Sequence, residues 1–229
     1  MVKIDTSLML PKSHPYRPRR KLAKNPPYVT IHNTGSMDAD AKAIAKYLYN
    51  VPKKPKSWHF SIDDTICYQS IPIGEEAWHA GTRAGNSQSV GIEVSMYRDK
   101  ARHAKYEDNG AQLAAGLLFN WKVRSADVPK YMKKHQEWSG KYCPSTIIPH
   151  WPDFVARVQN HVKVLEGTPP VEGGEEEVAP SRVAWYKAHS NMDDVEFVNK
   201  LTALCKEEGK RLDEIPIAPE YSHLERRLA

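Results

Sequence analysis

Residues His135 to Pro144 read HQEWSGKYCP, which puts a histidine, a lysine and a cysteine into one short segment. Cys143 follows His135 in that segment, and His32 closes an apolar run, YVTIH, far upstream. Imidazole and thiolate are donors that zinc prefers, and a catalytic zinc takes three protein donors and keeps a fourth position open. Two donors close in sequence and one distant is how a fold holds a metal between elements. Lys141, just before the cysteine, is a cation suited to steadying a developing oxyanion. Taken singly, a histidine is usually structural, so the cluster alone leaves both readings open.

Several elements must position these groups. Tyr28 to Asn33 is rich in β-formers and reads as a central strand with His32 at its end. Asp38 offers an N-cap to a helix whose Ala41, Ile44, Ala45 and Leu48 share one face. Trp58–Asp63 and Ile66–Ile71 read as a hairpin turning near Asp64-Thr65, and Ile73 to Ser89 as a long loop. In Val90–Met96, Ile92, Val94 and Met96 alternate with Gly91, Glu93 and Ser95. One face of that strand is apolar, and the other carries small residues and a single acid, as a cleft floor would. Helices are expected over Glu107–Val123, with Ala111, Ala114, Ala115 and Leu118 inward, and from Pro152 onward. In the second of these, Phe154, Val155, Val158, Val162 and Leu165 form one side. Interleaved strands and helices predict an α/β domain, a mixed central sheet flanked by helices.

The chain has 229 residues and a net charge of +5. Residues 1 to 166 hold 25 Lys and Arg against 15 Asp and Glu, whereas residues 167 to 229 hold 8 against 13. A basic first part suits an anionic polymer such as a bacterial wall. The basic residues are scattered and form no nucleic-acid-binding motif, and no apolar run approaches the ~20 residues that span a bilayer. No nucleic-acid or membrane partner is expected. Residues 1 to 26 are polar and proline-rich and read as an extended arm wrapping the domain, without the apolar core of a secretory signal. Three cysteines are too few for a disulfide framework; Cys67 and Cys205 read as buried small hydrophobes. Residues 167 to 181, GTPPVEGGEEEVAPS, read as a linker. Residues 182 to 229 read as a small, mainly helical region with Phe197, Leu201, Leu204 and Cys205 on one stripe. Such a short region would pack on the first domain, dimerise, or target the wall.

The chain resembles the zinc-dependent N-acetylmuramoyl-L-alanine amidases of the type-2 family, which includes phage endolysins and peptidoglycan recognition proteins. The segments that carry the resemblance are YVTIHNTG (28–35), WHFSIDD (58–64), IPIGEEAWHAG (71–81), NSQSVGIEVSM (86–96) and HQEWSGKYCP, in the family's order and spacing. The resemblance covers residues 20 to 165 and implies a zinc cleft along one face of the sheet. It implies one Zn2+ per chain, held by His32, His135 and Cys143. Glu93 is implied as general base and then acid, and Lys141 as the oxyanion's partner. His79 and Trp78 are implied as substrate-binding. Position 58 carries tryptophan where amidase-type phage lysozymes have tyrosine, so only packing is expected of Trp58, and His59 is expected to be structural or to support a ligand by a hydrogen bond. His14, His103, His150, His161, His189 and His223 have no motif context.

The implied reaction is hydrolysis of the amide joining N-acetylmuramic acid to L-alanine in peptidoglycan. The implied biology is a phage or prophage endolysin, made in the host cytoplasm and reaching the wall after holin-assisted release, with a sporulation or autolytic amidase as second choice. A non-catalytic peptidoglycan-recognition module and a zinc peptidase that cuts the stem peptide are the alternatives. Retention of Cys143 disfavours the first, and the lack of HExxH disfavours the second.

Overall fold

The β-branched run that leads to His32 forms a long strand, β2 (Tyr28–Met37), in the computed structural model. The structure describes residues 2–167 apart from Pro52, all within the first of two units, Met1–Pro169. The predicted linker beyond Gly167, the C-terminal region and the Cys205 helix lie outside the described residues.

Beside β2 runs β5 (Ser89–Met96), parallel, with Ile31 opposite Ile92 and His32 opposite Glu93. The sheet continues through β3 (Phe60–Ile62), β4 (Cys67–Gln69) and the short β1 (Ile4–Asp5) on one side. On the other side of β2 it ends at β6 (Met132–Lys134). The order is β1-β4-β3-β5-β2-β6, and only the β3–β4 pair is antiparallel. A mixed sheet was expected from the alternating pattern.

The two faces of this sheet are chemically distinct because side chains alternate along each strand. Val29, Ile31, Val90, Ile92 and Val94 are buried on one face against α3 (Lys100–Asn120) and α6 (Trp151–Glu166). Ala111, Ala114, Ala115 and Leu118 of α3 and Phe154, Val155, Val158 and Val162 of α6 complete that core, as their spacing predicted. The opposite face carries Thr30, His32, Gly91, Glu93 and Ser95. It is covered in part by α1 (Ala41–Tyr49), whose buried residues are the predicted Ala41, Ile44, Ala45 and Leu48.

Local expectations are corrected at four places. The N-cap of α1 is Asp40, which accepts from the Ala43 amide, whereas Asp38 sits at φ 62° and pairs with Arg98. The Ile73–Ser89 loop contains α2 (Arg83–Gln88), capped by Thr82. Helix α3 starts at Lys100, a whole charged stretch before Glu107. Between α3 and α6 stand α4 (Val128–Tyr131), β6 and α5 (Gln136–Ser139), none of which has a readable apolar period.

The arm is as predicted and is firmly tied. Leu10 donates to Ser70 O, Leu22 to Gly74 O and Ala23 to Ser87 O, and Glu76 donates to Arg20 O. Arg17, almost wholly buried, forks onto both Glu75 oxygens at 2.8 and 2.6 Å, and Arg20 reaches Glu76 at 2.8 Å. The arm therefore straps the Ile71–Gly81 loop to the body of the domain.

Candidate functional site

Three neighbouring strands set out the site in a row; His32 lies midway along β2, which runs on to Met37 instead of ending at the histidine as expected. His32 lies in β2, Glu93 faces it from β5 with Ser61 of β3 on its far side, and Lys134 at the end of β6 pairs with Ile31. His135, the next residue, continues that register by donating its amide to Ile31 O. The sheet supplies fixed spacing to His32 and Glu93, and the loops supply the reach of the other groups.

Cys143 arrives from the following loop. Its carbonyl accepts from the Gln136 amide, and the turn after it is held by Thr146, whose amide and hydroxyl both donate to Asn33 Oδ1 at 2.9 Å. As a result His32 Nδ1 lies 3.0 Å from His135 Nδ1 and 3.9 Å from Cys143 Sγ. Among the described residues, this trio is the group of potential metal donors whose atoms all lie within 4.8 Å of one another.

The hydrogen bonds behind His32 fix which nitrogen is free. His79 Nε2 stands 3.2 Å from Ser89 O, which can only accept, so that nitrogen carries the proton. His79 Nδ1 is then an acceptor, and His32 Nε2 lies 2.9 Å from it and donates. The lone pair of His32 is left on Nδ1, which points at His135 and Cys143. The His79 ring rests flat on β5 because residue 91 is glycine; a Cβ there would come within 2.7 Å of the ring. His59 braces the same layer. It accepts the Gly91 amide on Nδ1 at 3.0 Å and donates from Nε2 to Glu75 O at 2.8 Å.

The electrostatics suit a cation. Burial, followed by the His79, His135 and Lys141 charges, pushes His32 well below the usual imidazole range. Burial and then Lys141 push His135 down to about 4. Both rings are neutral and able to ligate at pH 7. Burial pushes the Cys143 thiol up to about 11, so only a bound cation would make it a thiolate. Two imidazoles and a thiol, with no carboxylate among the donors, fit a borderline-soft divalent ion rather than magnesium or calcium. Glu93 keeps part of its surface open to the cleft while protein surrounds its carboxyl. Desolvation pushes it up to about 8, with Lys141 and then Lys56 pulling the other way.

All the residues predicted for the site line one cleft of about 500 Å3: His32, His135, Cys143, Glu93, Lys141, His79 and Trp78. Trp78 is half-buried, its backbone paired with Ser57 and its ring 6.3 Å from that of Tyr16 on the arm. His79 does more than the sequence suggested, since both its ring nitrogens are engaged in orienting His32. Trp58 is packed as expected, its indole donating to Ser61 Oγ. Sequence reasoning missed Asn33 as the latch of the Cys143 turn, and Lys56 and Tyr47 at the cleft rim. The Asn33 signal lay in the IHNT run; a lysine and a tyrosine on the surface gave none. Of the unassigned histidines, His103 and His150 both bond to the buried Glu107 and His161 to Asp108, which ties α3 to the segment around α6.

Comparison with known proteins agrees with this geometry. The family described as N-acetylmuramoyl-L-alanine amidase matches residues 22–146. N-acetylmuramoyl-L-alanine amidase CwlH of Bacillus subtilis (strain 168) is 35% identical over 180 residues, 76% of this chain and 66% of the relative. XlyA of the same organism is 39% identical over 140 residues, covering 59% of this chain and 45% of its own. The solved catalytic domain of XlyA superposes with a TM-score of 0.58 at 34% identity, over 69% of this chain and 99% of that one. The PlyG catalytic domain gives 0.60 at 28%, over 74% and 100%. The chain thus spans about half to two thirds of the length of these curated relatives.

Proposed function

The chain belongs to the type-2 N-acetylmuramoyl-L-alanine amidase family, and from that premise we propose that it hydrolyses the amide between N-acetylmuramic acid and L-alanine in peptidoglycan. His32, through Nδ1, His135 and Cys143 would hold one zinc ion. Bound there, zinc supplies Lewis acidity and makes water easier to deprotonate. The chain's own groups do the rest. Glu93 takes a proton from the attacking water and returns it to the departing alanine nitrogen, and Lys141 faces the carbonyl oxygen as it gains charge. His79 keeps His32 in the tautomer that presents Nδ1, and with Trp78 it borders the bound stem peptide. The observation that supports this reading best is the strand register that sets Glu93 directly opposite His32, with its carboxyl desolvated to a pKa of about 8. A proton carrier works best near the pH at which it operates.

The proposed biology is an endolysin of phage or prophage origin, reaching the host wall after holin-assisted release. Residues 1–166 act as the catalytic domain, 167–181 as linker and 182–229 as a wall-binding region. XlyA, 39% identical, bears the amidase name, and a mutant endolysin from Bacillus subtilis shares the fold with a TM-score of 0.59 at 34% identity.

The test is incubation of purified, metal-analysed protein with purified peptidoglycan, followed by mass spectrometry of the new chain ends. Free L-alanine amino termini, intact glycan, one zinc per chain and loss of activity on chelation are expected. Cuts inside the stem peptide would replace this reading with a peptidase. Binding without cuts or zinc would replace it with a recognition module.

A further inference from the structure

The cleft holds one more charged group than the reaction uses. Besides the histidines, the cysteine and Tyr47, its ionisable lining is Glu93, Lys141 and Lys56. The first two have chemical tasks, and Lys56 has none beyond its pull on the Glu93 pKa, which ranks after that of Lys141. It stands on the segment between α1 and β3, half-buried, with its Nζ 4.8 Å from the centre of the Tyr47 ring. Among the described residues no carboxylate lies within ion-pair distance of it. Tyr47 is itself 48% exposed, so the pair forms a rim rather than a core contact.

A lysine seated on a ring loses part of its rotational freedom and part of its hydration before any ligand arrives, which lowers the cost of binding an anion. Lys53 and Lys54, exposed on the same segment, add to the positive potential without competing for the site. The same cleft is lined by Ala39, Ala43 and Ile44, an apolar set that a small side chain such as that of alanine fits. An extended peptide advances about 3.3–3.6 Å per residue, so a charged group one or two residues past the scissile amide lies only a few ångströms further along the chain.

We infer that Lys56, held by Tyr47, binds a carboxylate of the stem peptide beyond L-alanine and makes this enzyme prefer an acidic stem over its amidated form. The inference rests on the amidase reading above, as the substrate is taken from it.

Two soluble N-acetylmuramyl peptides, identical except for a carboxylate or a carboxamide on the residue after L-alanine, test it on the full-length zinc-loaded protein. The carboxylate peptide is expected to show kcat/KM about tenfold higher, with the difference in KM, as one charge-assisted hydrogen bond would give. Lys56→Met should raise KM for the carboxylate peptide alone, and Lys56→Arg should restore it. Tyr47→Leu, which frees the lysine without removing it, should give an intermediate loss. Calorimetry of both peptides on the Glu93→Gln protein reads the same preference without turnover. A wild type that cuts neither peptide would defeat the amidase reading, while calorimetry still decides on Lys56. Equal affinity for the two peptides, or a Lys56→Met loss shared equally between them, overturns the inference. If the shared loss came with weaker, salt-sensitive binding to whole wall, Lys56 would be a general attractor for the wall's polyanions.

Discussion

The two faces of the sheet use the same strands for opposite ends. On one face, Ile31, Ile92 and Val94 give up all contact with water and need nothing from their neighbours but shape. On the other, one residue along, His32, Gly91 and Glu93 lie among polar partners whose hydrogen bonds have to be completed by loops. The apolar face asks only for close packing. The polar face asks also for the right tautomers, because a proton on His79 Nδ1 would make His32 Nε2 the acceptor and move the His32 lone pair off Nδ1, away from Cys143. Stability is concentrated on the first face and chemistry on the second, and substitutions should separate the two.

The largest separation is expected from Glu93→Gln. Turnover should fall by about 10²–10⁴, the usual contribution of a positioned proton carrier, while zinc content and melting temperature stay near those of the parent. A variant that loses metal as well would place Glu93 among the structural supports instead. On the apolar face, Ile92→Ala should cost about 2–5 kcal/mol of unfolding free energy yet leave activity per folded molecule intact; denaturant titration beside a zinc-normalised assay measures both.

Acid should attack the polar face. Burial holds His59 at about 4 against an ordinary 6.5, so between those values the unfolded chain binds a proton that the folded chain refuses. Stability is then flat above pH 6.5 and falls as pH drops towards 4, by about 3 kcal/mol from this group alone. His59→Gln should flatten that part of the pH–stability curve in the metal-free protein, and an unchanged slope would assign the acid sensitivity elsewhere. The smallest effect is expected from Gly91→Ala. Its Cβ would press on the His79 ring, and zinc affinity should fall about 10–100-fold, as when a group supporting a metal ligand is disturbed. Competition with a chromophoric chelator reads this directly.

Much of this was legible in the residues, for a physical reason. Alternation in Val90–Met96 and the helical spacing of Ala41, Ile44, Ala45 and Leu48 record burial, and burial leaves a periodic trace. The motif segments told which polar residues to gather. What left no trace was structure without an apolar period. Strand β6 is Met-Lys-Lys at the sheet edge and reads as loop, although it is what brings His135 beside His32. Helix α2, Arg-Ala-Gly-Asn-Ser-Gln, has no hydrophobic face, yet its Asn86 accepts the amides of His79 and Ala80. Asp38 was the cap expected from the sequence, and Asp40 is the cap observed. The choice fell to Asp40 because Asp63 takes the Ala41 amide and the chain bends sharply at Asp38. The Arg17–Glu75 pairing spans 58 residues and could not be read from either end.

That last separation has a consequence for the order in which the protein is made. At about 5–20 residues per second, Arg17 is added to the chain roughly 3–12 s before Glu75. Cys143 emerges later still, 111 residues after His32. The arm therefore waits unfastened until the loop that carries Glu75 has been made. A nascent chain of this protein brings His32, His135 and Cys143 together only once most of its domain has been made, so the donor cluster is completed late and all at once.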